Sequence, residues 1–245
     1  NSINLIESEC CDCILNTLFD LKFRNCFSKD VLVVNSNIPL ISRNTITEAY
    51  RFHIESQNYV TTVSSKETEN NIKLMFLNSD VLFLNYETQF NCMFDVFKCI
   101  SDRGLKVGTF IVEDEKELFE VNNTVDLADI QSVAQKQIVE RHLFNGVMFV
   151  SPESVYFGKD VEIAVDTIIM PNVVIKGKTK IGSGCLIGPN TQITDSIISN
   201  KVEVNSSVVV ESYIDENTTV GPFAYIRPNS KIGKKVKIGD FVEIK

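Results

Sequence analysis

The chain has 245 residues, enough for two domains of ordinary size, and its 44% hydrophobic and 23% charged content is that of a soluble globular protein. A net charge of −8 without any Lys/Arg cluster excludes a nucleic-acid or anionic-membrane partner. No apolar run approaches the ~18 residues of a membrane span and no signal segment is visible, so the expected location is cytoplasmic. Seven cysteines (10, 11, 13, 26, 92, 99 and 185) form an odd, scattered set with no C-x-x-C, which argues against a disulfide framework or a zinc site.

Residues 5–21 read as an amphipathic helix on which Cys10, Cys11 and Cys13 serve as small buried hydrophobes. Val31-Leu-Val-Val34 reads as a buried parallel strand. Thr45-x-x-Glu48 is a capping box opening a helix to about residue 56. Tyr59–Val63, Ile72–Leu77 and Val107–Val112 are further strands, with a helix between about 82 and 100. This rhythm implies a mostly parallel sheet with ligands at the carboxyl ends of its strands. A second long helix, 124–144, sets Leu127, Ile130, Val133, Ala134, Ile138 and Leu143 on one side. Gly146 is its expected C-cap, followed by a strand at Val147–Val150. The domain boundary is expected near 145–153, dividing the chain into 1–150 and 151–245.

From Ile163 onward an aliphatic returns every six residues: 163, 169, 175, 181, 187 and 193, then after a nine-residue step 202, 208, 214, 220, 226, 232, 238 and 244. Fourteen hexads with one three-residue insertion match neither a strand's period nor a helix's. They predict a left-handed parallel β-helix whose coils stack over one shared core. Gly follows the aliphatic at 182, 188, 221, 233 and 239, where a sharp corner is expected. The chain opens on Asn and ends at Lys245 within a repeat, with no cap visible, so it is expected to be a piece of a longer protein.

No G-x-G-x-x-G or P-loop segment occurs, and the only histidines are His53 and His142, so no Ser/His/Asp or Cys/His arrangement can be assembled. His142, on a helix beside Leu143, is expected to be packed or solvated rather than catalytic.

Four stretches carry a resemblance: VLVVNSNIPLIS (31–42), GLKVGTFIVEDEKELFEVNNTVDLADIQ (104–131), ERHLFNGVMFVSPESVYFGKDVEIAVDT (140–167) and TTVGPFAYIRPNSKIGKKVKIGDFVEIK (218–245). Together they resemble the bifunctional N-acetylglucosamine-1-phosphate uridyltransferase/glucosamine-1-phosphate acetyltransferase family, most closely from about residue 104 to 245. The resemblance implies a reduced, Rossmann-like α/β nucleotidyltransferase domain followed by a β-helix of hexapeptide repeats. It further implies Mg²⁺ and acetyl-CoA as cofactors, a sugar phosphate or nucleotide sugar as ligand, and a homotrimer.

Residue by residue, the implied sites are unevenly kept. The family's Gly-rich loop is missing. Its G-D-x-P-L turn, whose Asp holds Mg²⁺, reads Ser36-Asn37-Ile38-Pro39-Leu40, with Asn37 in place of the carboxylate. Its E-I-N-[ST]-G sugar segment reads Asn71-Ile72-Lys73-Leu74-Met75. Asn122, in Val121-Asn122, matches the family's ligand for metal and nucleotide sugar, and equally suits the cap of the helix starting near Thr124. Arg227 and Lys245 match the cationic pair that holds substrate phosphate. The repeat reaches the same pair independently, since both follow an in-phase aliphatic one coil apart. Two such cations about 4.8 Å apart repel unless their side chains splay or an anion lies between them. The catalytic histidine and the acetyl-CoA residues are expected beyond Lys245, and no catalytic residue is assigned within the chain.

Two functions follow. One is a transferase of UDP-N-acetylglucosamine synthesis with its uridyltransferase site lost and neither half-reaction complete in this chain. The other is a non-catalytic nucleotide-sugar-binding or scaffolding module.

Overall fold

The computed structural model describes residues 29–65, 72–83 and 92–245. The helix expected at 5–21 lies outside them. The chain divides into two compact units at Ile130/Gln131, inside the helix α3 (Thr124–Phe144).

The first unit is built on a four-stranded sheet of β1 (Asp30–Val34), β2 (Val60–Ser64), β3 (Leu74–Asn78) and β4 (Val107–Ile111), in the order β1-β3-β2-β4. β3 runs antiparallel to both β1 and β2, and β2 pairs in parallel with β4. The expected parallel sheet is therefore corrected: three strands share one direction, but β3 is wedged between two of them in reverse. Val31–Val34 is likewise no buried parallel strand. It is an antiparallel edge on which Leu32 and Val34 are exposed and Val33 alone is buried. Alternation along β3 explains the layers. Met75 and Leu77 pack with Val60, Met93, Val96 and Ile100 on one face, and Leu74 and Phe76 pack with Ile38, Ala49 and Val63 on the other.

The helix α1 (Arg43–Glu55) starts one turn earlier than the capping-box reading placed it. Ser42 is its N-cap, with Oγ accepting from Thr45 N–H at 3.0 Å. The helix expected over 82–100 forms as α2 (Met93–Asp102), preceded by a 3₁₀ turn at Ser79–Phe83. In α3, Leu127 and Leu143 are exposed and Ile130 and Val139 are buried, so the expected stripe is displaced. Its C-terminus is a Schellman cap: Val147 N–H donates to His142 O (3.1 Å) and Gly146 N–H to Leu143 O (3.0 Å), with Gly146 at φ 82°.

In the second unit short parallel strands stack into three sheets of five, six and six strands. The segment read as the last strand of the first domain joins this stack, as Met148–Phe149 pairs with Ile168–Ile169. The inward residues form three columns: Ile163, Ile181, Ile198, Ile214, Ile232; Phe149, Ile169, Ile187, Val204, Val220, Ile238; and Phe157, Ile175, Ile193, Val209, Ile226, Ile244. Each fully buried aliphatic contributes roughly 1.5–3 kcal/mol.

The expected register is corrected between Ile193 and Ile214. The inward series runs 193, 198, 204, 209, 214, so three steps are shortened to five residues and there is no nine-residue step. Val202 is buried at a corner, and Val208 only flanks the inward Val209. The sharp corners also differ from expectation. Gly221 does take a left-handed φ of 95° directly after Val220, but elsewhere in the coils the left-handed residue lies two or three positions after the aliphatic, as at Asp195, Asp166, Asn172 and Asn190. Gly182 and Gly188 serve close approach instead, because a Cβ on Gly182 would sit 2.4 Å from Asn200 Oδ1 and one on Gly188 2.6 Å from Asn205 Oδ1.

The first coil carries a cap that the sequence did not reveal. Gln135 of α3 accepts from Phe157 N–H (2.9 Å) and donates to Phe157 O (2.8 Å), pairing the exposed strand edge as another strand would.

Candidate functional site

Asn37 lies in the turn after β1 and Asn122 just before α3. The fold brings them together across 85 residues: Asn37 Nδ2 donates to Asn122 Oδ1 at 3.2 Å, and Val121 N–H donates to Asn37 O at 2.8 Å. Asn37 Oδ1 is buried without a hydrogen-bond partner. Capping falls to the neighbour, Asn123, whose Oδ1 accepts from Val125 N–H (2.8 Å) and Asp126 N–H (3.0 Å). Asn122 is thus left facing Asn37.

Lys73, at the third position of the altered sugar segment, is a residue sequence reasoning passed over. Its ammonium donates to Leu118 O at 2.8 Å and lies 3.7 Å from Glu120 Oε2. The side chain is 12% exposed, so this cation is drawn in and satisfied by protein groups. It ties the start of β3 to the loop after β4, occupying the carboxyl edge of the sheet where a ligand is expected.

In the β-helix, Ile226 pairs with Ile244 and Arg227 N–H donates to Ile244 O at 3.0 Å, so Arg227 and Lys245 continue adjacent strands of one sheet. Side chains two residues apart share a face. Accordingly Tyr225 and Arg227 project together opposite Glu243 and Lys245. The guanidinium lies 5.8 Å from the Tyr225 ring centre and forms an ion pair with Glu243 through Nε. Glu243 therefore sets a carboxylate on the Arg227 guanidinium at this face. Both partners are nearly half exposed, which limits such a pair to about 0–1 kcal/mol and leaves the guanidinium exchangeable.

The two histidines are packed. His53 Nδ1 is 2.8 Å from Thr61 Oγ1 and Nε2 is 3.7 Å from Asp30; burial pushes its pKa down and Asp30 partly restores it. His142 is buried edge-on to Phe157, and burial, with Arg141 adding, lowers its pKa to about 4.

Residues 160–195 and 211–245 match the bacterial transferase hexapeptide (six repeats) family. The bifunctional protein GlmU of Clostridium beijerinckii is 36% identical over 254 aligned positions, covering 88% of this chain and 56% of the relative. The GlmU proteins of Alkaliphilus metalliredigens and Clostridium acetobutylicum are 46% and 50% identical over 151 residues, each covering 62% of this chain and 33% of the relative. This is a GlmU-like chain. It spans between 33% and 56% of the length of these relatives.

The interval between the two hexapeptide matches, 196–210, falls where the GlmU-like coils are shortened. The residues singled out for Mg²⁺ do not fit that ion. Asn37 and Asn122 are neutral amides bonded to each other, and among the described residues no group of three or more His, Cys, Asp or Glu is arranged to hold a metal. Among the described residues no helix is long and apolar enough to cross a membrane.

Proposed function

We propose that the GlmU-like chain contributes a sugar-phosphate site to a transferase of UDP-N-acetylglucosamine synthesis, with Arg227 and Lys245 holding the phosphate of glucosamine-1-phosphate. The observation that carries this reading is the adjacency of Arg227 and Lys245 at the ends of paired strands, with the exchangeable carboxylate of Glu243 on the Arg227 guanidinium. An incoming phosphate would take the guanidinium's fork from Glu243 and the ammonium's point charge from Lys245. In this reading the protein is a cytoplasmic homotrimer, acetyl transfer is the reaction served, and uridyl transfer to N-acetylglucosamine-1-phosphate is lost.

Support for that loss comes from the first unit. Lys73 occupies the carboxyl edge of the sheet, and the Asn37–Asn122 amide pair stands where Mg²⁺ needs a carboxylate. The same observations favour a second reading, a non-catalytic nucleotide-sugar-binding or scaffolding module.

Isothermal titration of the chain with glucosamine-1-phosphate, and separately with UTP plus Mg²⁺, tests both. The expected result is binding of the sugar phosphate and none of UTP. Arg227→Ala should weaken sugar-phosphate binding by roughly 1–3 kcal/mol, and Glu243→Gln should strengthen it by freeing the guanidinium. Unchanged affinity in Arg227→Ala overturns the phosphate site. UTP binding overturns the claimed loss. Failure of both ligands to bind folded protein leaves the module.

A further inference from the structure

The main chain of Arg227 is held in place by the coils themselves. Its N–H donates to Ile244 O at 3.0 Å. Its carbonyl accepts from the buried hydroxyl of Ser230 at 2.7 Å and shares that of Ser212 with Val210 O. Pro228 follows, with its φ fixed by the ring. The direction of the Cα–Cβ bond is thus set, and the freedom that remains lies in a side chain that is 46% exposed. Ordering such a side chain on a ligand opposes binding, so anything that orders it beforehand favours the complex.

Register decides what stands beside that side chain. Tyr225 pairs with Val208 in the coil before and with Glu243 in the coil after. Tyr225 and Arg227 are two residues apart and share the outer face. Two neighbours engage the guanidinium: Glu243 forms an ion pair with Nε, and the Tyr225 ring centre lies 5.8 Å from Cζ. They are not equivalent. The carboxylate competes with an incoming phosphate for the same cation and gives way to it. The ring is uncharged and attracts the cation through its π face, so it takes up none of the N–H groups a phosphate needs.

We infer that Tyr225 is a positioning residue for the phosphate site: its ring keeps the Arg227 guanidinium at the outer face while phosphate replaces Glu243. Tyr225 acts through Arg227 and not by touching the sugar. The inference rests on the phosphate-binding role proposed above for Arg227. Tyr225 is 39% exposed and stands outside the inward columns, so its ring can be removed without opening the core.

Titration calorimetry of the full chain with glucosamine-1-phosphate, and separately with inorganic phosphate, tests the role. Tyr225→Leu should weaken both ligands about threefold and by the same factor, the scale of a cation–π contact at an exposed site. Tyr225→Phe keeps the ring face and should retain the parent affinity for both. Added to Arg227→Ala, Tyr225→Leu should have no further effect, because the residue it acts through is gone. With no ligand present, the heteronuclear NOE of Arg227 Nε–H should fall in Tyr225→Leu and hold in Tyr225→Phe.

An unchanged NOE in Tyr225→Leu overturns the inference. So does a loss confined to glucosamine-1-phosphate, which would make Tyr225 a direct sugar contact, or a full effect of Tyr225→Leu in the Arg227→Ala background. The two readings fail separately. If Arg227→Ala leaves both affinities unchanged, the phosphate site itself falls. If Arg227→Ala weakens binding and Tyr225→Leu does not, the site stands and the positioning role falls.

Discussion

In the β-helix the buried hydroxyls stand at one place in the coil, two residues before the inward aliphatic: Thr167, Thr179, Thr191, Ser196, Ser207, Ser212, Thr218 and Ser230. Each donates to a backbone carbonyl, and several also accept from the next coil, as Thr179 Oγ1 does from Ser196 N–H and Ser207 Oγ from Ala224 N–H. In the α/β unit three buried polar groups share one atom instead, as Asn58 Nδ2 and His53 Nδ1 both meet Thr61 Oγ1, while Thr62 Oγ1 meets Thr109 Oγ1. The β-helix satisfies its polar interior locally, coil by coil. In the α/β unit His53 and Asn58 depend on one shared atom, so a single change there strands two side chains.

The largest effect expected is on the common support of the coils. Ile187 is fully buried in the middle of its column, and Ile187→Ala should lower unfolding free energy by about 3–4 kcal/mol in chemical denaturation. A loss under 1 kcal/mol would mean that the columns are not tightly packed. Next comes acid. The folded pKa of His142, about 4, lies below its ordinary 6.5, so the unfolded chain binds the extra proton. The stability is whole above pH 6.5 and falls as pH drops towards 4, by roughly 3 kcal/mol across that window. His142→Gln should flatten this component when melting is measured in phosphate-free buffer.

The comparison itself is sharpened by two hydroxyl deletions. Thr61→Val strands His53 and Asn58 and should cost about 2–3 kcal/mol, whereas Thr191→Val loses a single long bond to Val204 O and should cost about 1 kcal/mol. Equal costs by thermal melting would erase the distinction drawn between the units.

The β-helix was legible wherever its period is strict, up to Ile193 and again from Ile214. Between them three steps shorten to five, and a constant spacing of six put Val202 and Val208 inward in place of Ile198, Val204 and Val209. The reversal of β3 left no such trace, since a covered apolar strand reads the same in either direction. In the candidate site, Arg227 and Lys245 followed from the repeat. Glu243 could have followed too, being two residues before Lys245 on the same face. The roles of Asn37 and Asn122 rested on resemblance alone, and Lys73 was missed because its partner is the backbone carbonyl of Leu118, which no side-chain pattern announces.

The stacked ladders have a mechanical consequence. Every inter-coil hydrogen bond points along the axis, so tension applied end to end loads three ladders at once, while a sideways pull meets only one. From Phe157 to Ile226 the column advances four rungs, about 19 Å at the spacing of paired strands. The stack is in effect a ruler graduated in single coils. Insertion or removal of one coil would move whatever the Arg227 face holds by about 4.8 Å relative to the first coil, with no intermediate setting.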